Sequence, residues 1–219
     1  MWIKCIGEDN KTLRLKRRQL KMKIQVIVSD YNSCNCYIVS EGESCIIIDA
    51  GFDSQPIFEY TEKEGLKIEA VLLTHGHPDH VHAAKDFSDR GIQVYITEED
   101  FELPKNNFFG LKLKDGFVCF KPTFIDKDSY KFGDIKVKII NAPGHTKGGV
   151  CFLIGDYLFT GDTLFKGTVG RSDFYGGCEK TLRDSVKSLL SLDKDYQVLS
   201  GHSESSTILQ ERKYNIFAK

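Results

Sequence analysis

The chain has 219 residues, 41% hydrophobic and 28% charged, which suits one globular unit with a sizeable core better than two small ones. A net charge of −1 gives no global field for nucleic acid or an acidic membrane, and no apolar run approaches the ~20 residues of a membrane span. Seven scattered cysteines, an odd number, do not form a secreted disulfide framework and read as reduced thiols in a cytoplasmic protein.

Residues 1–22 differ from the rest. Lys4, Lys11, Arg14, Lys16, Arg17, Arg18 and Lys21 make a basic arm with little apolar periodicity. We read it as a peripheral extension, with Met22 a second candidate start, and residues 23–219 as a single domain. The sequon Asn10-Lys11-Thr12 has no secretory signal to support its use. The arm alone offers a non-enzymatic reading, docking on nucleic acid, but the balanced charge elsewhere disfavours such a partner.

Strand-like runs begin with Ile24 to Val28, Cys36 to Val39 and Cys45 to Ile48, the last a pure aliphatic run of the kind buried on both faces. Cys34-Asn35-Cys36 reads as two small buried thiols, two apart on a strand. Ala70 to Leu73, Ile92 to Ile96, Ile135 to Ile140, Val150 to Ile154, Tyr157 to Phe159 and Gln197 to Leu199 follow. Between them, helices are predicted over Pro56 to Glu64, Asp79 to Arg90, Lys180 to Leu192 and Ser206 to Tyr214. Leu182, Val186, Leu189 and Leu190 supply an apolar stripe for the third. This alternation predicts a layered α/β domain in two similar halves.

Four of the six histidines fall between His75 and His82, within Thr74-His75-Gly76-His77-Pro78-Asp79-His80. Imidazole and carboxylate are ligands of zinc, iron and manganese. The cluster lies where strand Ala70 to Leu73 turns into a helix, with Pro78 suited to its first turn. His75 and His77 can face one ion, while Asp79 and His80, offset by the turn, can serve a second. His145, Asp162 and His202 each end an apolar strand behind a glycine, and all three are candidates of the same kind. His82, two residues from His80 on a helix, points elsewhere and is read as a non-ligand packing beside the site.

These motifs together resemble the metallo-β-lactamase superfamily: Ile47-Ile48-Asp49-Ala50-Gly51, His75-x-His77-x-Asp79-His80, Pro-Gly-His145-Thr, Thr-Gly-Asp162-Thr-Leu-Phe and Ser-Gly-His202. The resemblance covers residues 23–210. It implies an αββα four-layer sandwich, two mixed β-sheets flanked by helices, with the site at one edge. It also implies one metal on His75, His77 and His145, a second on Asp79, His80 and His202, and Asp162 bridging them. Asp49 would steady the ligand loop from behind. Two such ions, zinc preferred over iron or manganese, would share a water and lower its pKa towards ~7, giving hydroxide for attack on a small-molecule substrate. Asp79 would also orient that hydroxide in a secondary role.

Asp162 stands where the zinc β-lactamases resemble one another in having Cys, which argues against β-lactams. His77 rather than Glu argues against the flavodiiron branch, and no phosphodiester-binding arm of the ribonuclease Z kind is visible. The run from Gly161 to Asp173, with Gly170-Arg171-Ser172-Asp173 and Gly176-Gly177, is most similar to short glyoxalase II proteins, the hydroxyacylglutathione hydrolases. That similarity implies a thioesterase acting on a small acyl-thiol, with lactonase or phosphodiesterase as the alternative. Lys166, Arg171 and Asp173 become candidates for a substrate loop, Arg171 ordering it by pairing with Asp173. Only Ser203 to Lys219 follow His202, so the helical domain that completes the glutathione pocket of full-length glyoxalase II has no counterpart, which leaves the thiol carrier open.

Overall fold

The computed structural model describes residues 22–28, 34–103 and 120–218. The basic arm up to Lys21 and the sequon at Asn10 lie outside the described residues. One sheet contains β1 (Lys23–Val28), β2 (Asn35–Glu41), β3 (Ser44–Ile48), β4 (Lys67–Leu72), β5 (Gln93–Ile96) and β6 (Pro122–Phe124), in that spatial order. Its first two pairings are antiparallel and the rest parallel. Then come β7 (Ser129–Phe132), β8 (Ile135–Asn141), β9 (Val150–Ile154), β10 (Tyr157–Gly161), a small hairpin of β11 (Leu164–Phe165) and β12 (Thr168–Val169), β13 (Gln197–Ser200) and β14 (Ser206–Thr207). Without the hairpin they form a second mixed sheet, ordered β14-β13-β10-β9-β8-β7.

Strand alternation explains how these sheets stack. In β2 and β3, Tyr37, Val39, Ile46 and Ile48 point one way and Cys36, Ile38, Cys45 and Ile47 the other, and all are buried. The first set meets Phe132, Ile135, Val137, Phe152 and Phe159 of the second sheet in a central core. The second set packs on Ile57 of helix α1 (Gln55–Lys63), Val81 of α2 (Pro78–Val81) and Phe87 of α3 (Ala84–Asp89). After the short α4 (Glu98–Phe101), α5 (Glu179–Leu190) and α6 (Ile208–Tyr214) cover the far face of the second sheet through Leu182, Val186, Leu189 and Ile208 against Cys151, Leu158 and Val198. Four layers result: helices, sheet, sheet, helices. No helix among the described residues is long and apolar enough to cross a membrane.

The single helix predicted over Asp79 to Arg90 is two. Gly51 N donates to His80 O (3.2 Å) and Ala83 N to Gly51 O (2.9 Å), so the loop after β3 takes backbone groups that would have continued the helical ladder. Ser206 and Thr207, predicted helical, pair with β13 instead, and Thr207 Oγ1 caps α6 by accepting from Gln210 N.

Candidate metal centre

Strands β8 and β10 each lie antiparallel to β9, and β10 is parallel to β13. All three therefore run the same way and end at one edge of their sheet. His145, Asp162 and His202 follow those ends, and the turn after β4 brings His75 and His77 to the same edge from the other sheet. Asp79 and His80 sit on α2. The sandwich thus gathers at one edge seven side chains drawn from His75 to His202.

Their donor atoms form two groups of three, linked by a further close set of His75, His80 and Asp162. His77 Nδ1 lies 3.0 Å from His75 Nε2 and 2.8 Å from His145 Nε2. His202 Nε2 lies 2.9 Å from Asp79 Oδ2 and 3.3 Å from His80 Nε2, with His80 Nε2 3.6 Å from Asp79 Oδ2. Asp162 stands between the groups: Oδ2 is 3.6 Å from His145 Nε2 and 3.5 Å from His202 Nε2, and Oδ1 is 3.4 Å from His80 Nε2. Tetrahedral bonds of 2.0–2.1 Å from nitrogen to one zinc would put donors about 3.3 Å apart, close to these spacings. Asp162 Oδ1 is buried and accepts no hydrogen bond among the described residues, a costly state that a cation would relieve. The set fits metal on its chemistry.

The far side of each ring decides which lone pair faces inward. Asp49, in the left-handed region at φ 55°, accepts from Thr74 N (2.7 Å), Thr74 Oγ1 (2.8 Å) and His80 Nδ1 (2.9 Å). Thr74 spends its only hydroxyl proton on that acceptor-only carboxylate, so His75 Nδ1, 3.0 Å from Thr74 Oγ1, must be the donor. His145 Nδ1 likewise donates to the Arg171 carbonyl at 2.6 Å. His75, His80 and His145 are thus held with Nε2 turned to the centre, the arrangement that outer hydrogen bonds impose on ligand imidazoles.

Charge divides the groups. Burial, and then the neighbouring imidazoles, pull His75 well below the ordinary histidine value, and burial with His145 pulls His77 to about 3. Burial also lowers His145, only partly opposed by Asp162. In the other group burial lowers His80, but Asp49 and Asp162 outweigh it and the net shift is upward. His202 is likewise raised, its hydrogen bond with Asp79 and the Asp162 charge overcoming burial. For Asp162 burial acts upward, and His80 reverses the sign, holding the carboxyl well below its usual range.

The loop candidates lie beside this edge. Arg171 makes a bidentate pair with Asp173 (both bonds 2.7 Å) and lies over the Phe174 ring, which meets His77 edge-on at 5.8 Å. Lys166 Nζ pairs with Glu204 at 2.5 Å, next to the His202 turn. His82 is exposed and packs on Phe52, outside both groups. Cys34 and Cys36 are buried, and burial pushes both thiols up.

Sequence reading missed several supporting residues. Asn35, passed over between the cysteines, donates Nδ2 to Ser200 O (2.9 Å) and Ser203 O (3.0 Å), and Tyr37 OH donates to Ser200 O (2.6 Å). Both brace the turn bearing His202. Glu211 and Asn215 of the C-terminal segment hold the β11–β12 hairpin through Gly167 N, Phe165 O and Thr168 O. Asp100, the last residue of the acidic run Glu98-Glu99-Asp100, is fully buried. Only the glycines gave a local signal: a Cβ on Gly201 would lie 2.2 Å from Asp162 Oδ1, so nothing larger fits there.

Residues 30–202 match the family model described as the Metallo-beta-lactamase superfamily. The chain belongs to that superfamily. This member is 33% identical over 207 residues to hydroxyacylglutathione hydrolase GloC of Haemophilus influenzae, covering 90% of this chain and 98% of the relative. Among solved structures, the metallo-β-lactamase fold recurs in the BLEG-1 B3 metallo-β-lactamase (TM-score 0.80, 27% identity, 90% and 100% covered). It recurs also in TTHA1623 in a di-iron-bound form (TM-score 0.75, 31% identity, 88% and 99% covered). The chain is accordingly a metallo-hydrolase of this superfamily, with a His-rich site at the sheet edge.

Proposed function

We propose that this superfamily member is a dinuclear metal-dependent thioesterase that cleaves a small acyl-thiol of the hydroxyacylglutathione type. His75, His77 and His145 would hold one ion and Asp79, His80 and His202 the second, with Asp162 lying between the two groups. Imidazole and carboxylate donors suit zinc, iron and manganese alike; we propose zinc, and the di-iron form of TTHA1623 makes iron the alternative to test. Such ions supply Lewis acidity and lower the pKa of water towards ~7.

The chain's own residues do the rest. Asp49 and Thr74 lock His75 and His80 in one tautomer each. Asp79 Oδ2, on the more open side, orients water and accepts its proton in a secondary role. Phe174 closes the flank of His77, and the Arg171–Asp173 pair stiffens the loop whose carbonyl holds His145. The observation that carries the thioester assignment is the near end-to-end match to a hydroxyacylglutathione hydrolase in a chain whose seven donors converge.

The test is a substrate panel on protein of measured metal content: S-lactoylglutathione, acyl thioesters of other thiols, lactones, phosphodiesters and a β-lactam. Thioester turnover at a kcat/KM at least about tenfold above the other classes is expected. A larger kcat/KM for a lactone, phosphodiester or β-lactam would replace the assignment, and inactivity of protein carrying two ions would end it.

A further inference from the structure

Asp100 is a carboxylate with no exposed surface and no cation partner among the contacts described for it. Its oxygens accept from three donors: Oδ2 from Gly76 N (3.1 Å) and Thr146 Oγ1 (2.6 Å), and Oδ1 from Gly148 N (2.7 Å). Gly76 is the residue between His75 and His77, and Thr146 follows His145. One side chain therefore ties together two loops from different sheets, one after β4 and the other after β8.

Several features tune this tie to spacing. A Cβ on Gly76 would lie 2.0 Å from the Asp100 carbonyl oxygen, so the backbone of α4 presses directly on the first loop. Thr97 Oγ1 adds a bond to Gly148 O at 2.8 Å, clasping the second loop from the same element. Three N–H or O–H donors need an acceptor-only group; an asparagine would turn its own NH2 towards one of them. Burial pushes the Asp100 carboxyl up to about 6 despite those bonds, so the arrangement carries a cost that a neutral residue would avoid. What lies between the tied loops is the 2.8 Å approach of His77 Nδ1 to His145 Nε2.

We propose that Asp100 is a positioning residue for the three-histidine half of the centre, setting the distance between the His75–His77 loop and the His145 loop at which one ion binds. The inference rests on the ligand assignment above. It assigns Asp100 no contact with substrate or metal. Outer partners of this kind typically contribute about 10–100-fold to metal affinity.

The test is a zinc titration of full-length metal-free protein against a chromophoric chelator, for the wild type, Asp100→Asn, Thr146→Val and Thr146→Ser. Wild type is expected to bind two ions. Asp100→Asn should weaken one of them by about 10–100-fold and leave the other within about twofold. Thr146→Val should weaken the same ion less, and Thr146→Ser, which keeps the hydroxyl, should restore it. The visible spectrum of the cobalt-loaded proteins gives an independent reading, with bands from one ion altered and bands from the other retained. Both ions unchanged in Asp100→Asn, or both weakened equally, would overturn the inference while leaving the dinuclear reading intact. A wild type that takes up no zinc would overturn both. Thr146→Val and Thr146→Ser keep the question answerable if Asp100→Asn folds poorly.

Discussion

The two halves of the centre are built differently. His75, His77 and His145 are buried, and Asp100 clamps their loops from behind. In the other half the His202 side chain is 30% exposed and that of Asp79 24%. His202 rides on a turn held from β2 by Asn35 and Tyr37. The first half is all imidazole, and its bases are kept neutral by burial and by one another. The second mixes imidazole with carboxylate, and the carboxylates raise the pKa of His80 and His202. On the proposed reading the enclosed half is shielded from solvent, while His202 and Asp79 of the other half face it. Rigidity and access are divided between two sets of three residues a few ångströms apart.

The largest effect should come from Asp162, the carboxylate that lies between the two halves. Asp162→Ala is expected to cut kcat/KM for the best thioester by about 10²–10³-fold, the range for loss of a preorganised electrostatic group. Metal analysis after dialysis should show fewer than two ions. Full occupancy with unchanged turnover would mean that the halves act independently and that Asp162 joins nothing.

A smaller effect isolates the enclosed half. Asp100 has its folded-state pKa raised from 3.8 to about 6. Between those values the folded chain holds a proton that the unfolded chain has released. Its contribution to stability is therefore full below about pH 4, falls as pH rises towards 6, and stays low above that. Asparagine does not titrate. The stability of metal-free wild type minus that of Asp100→Asn should accordingly fall by up to about 3 kcal/mol across this window and then level off. Urea unfolding at a series of pH values measures it, and a flat difference would mean that the carboxyl is solvated.

How far the sequence went follows the same division. The aliphatic run Cys45 to Ile48 and the alternation of Ile135, Val137 and Ile139 are local, and both appear as strands. The His-x-His-x-Asp-His turn is local too, and the structure brings it to the same edge as His145, Asp162 and His202. What the sequence hid is what only tertiary contact creates. Nothing in Glu98-Glu99-Asp100 distinguishes the aspartate that inserts between two loops from the exposed glutamates beside it. The break after α2 comes from Gly51, 32 positions before Ala83, which no helical periodicity can register. Asn35 sits between two buried thiols, and its partners lie 165 and 168 positions away.

The smallest effect belongs to the open half. Tyr37→Phe removes one buried hydroxyl whose bond to Ser200 O braces the His202 turn, while the ring keeps its edge-on packing against Phe159. The Ser200 carbonyl still accepts from Asn35 Nδ2, so the loss is one hydrogen bond rather than an orphaned acceptor. A net contribution of about 1 kcal/mol is the usual worth of such a bond, and a fraction of it will reach His202 as a loosened turn. We expect stability to fall by about that amount and the ion of the open half to bind about two- to fivefold less tightly, within the roughly tenfold equivalent of 1.4 kcal/mol. The ion of the three-histidine half should respond little, because the hydrogen bonds described for Tyr37 and Ser200 reach none of its loops. Stability lost with both ions unaffected would make Tyr37 a core residue only. Weakening of the three-histidine ion would show that the two halves share one scaffold.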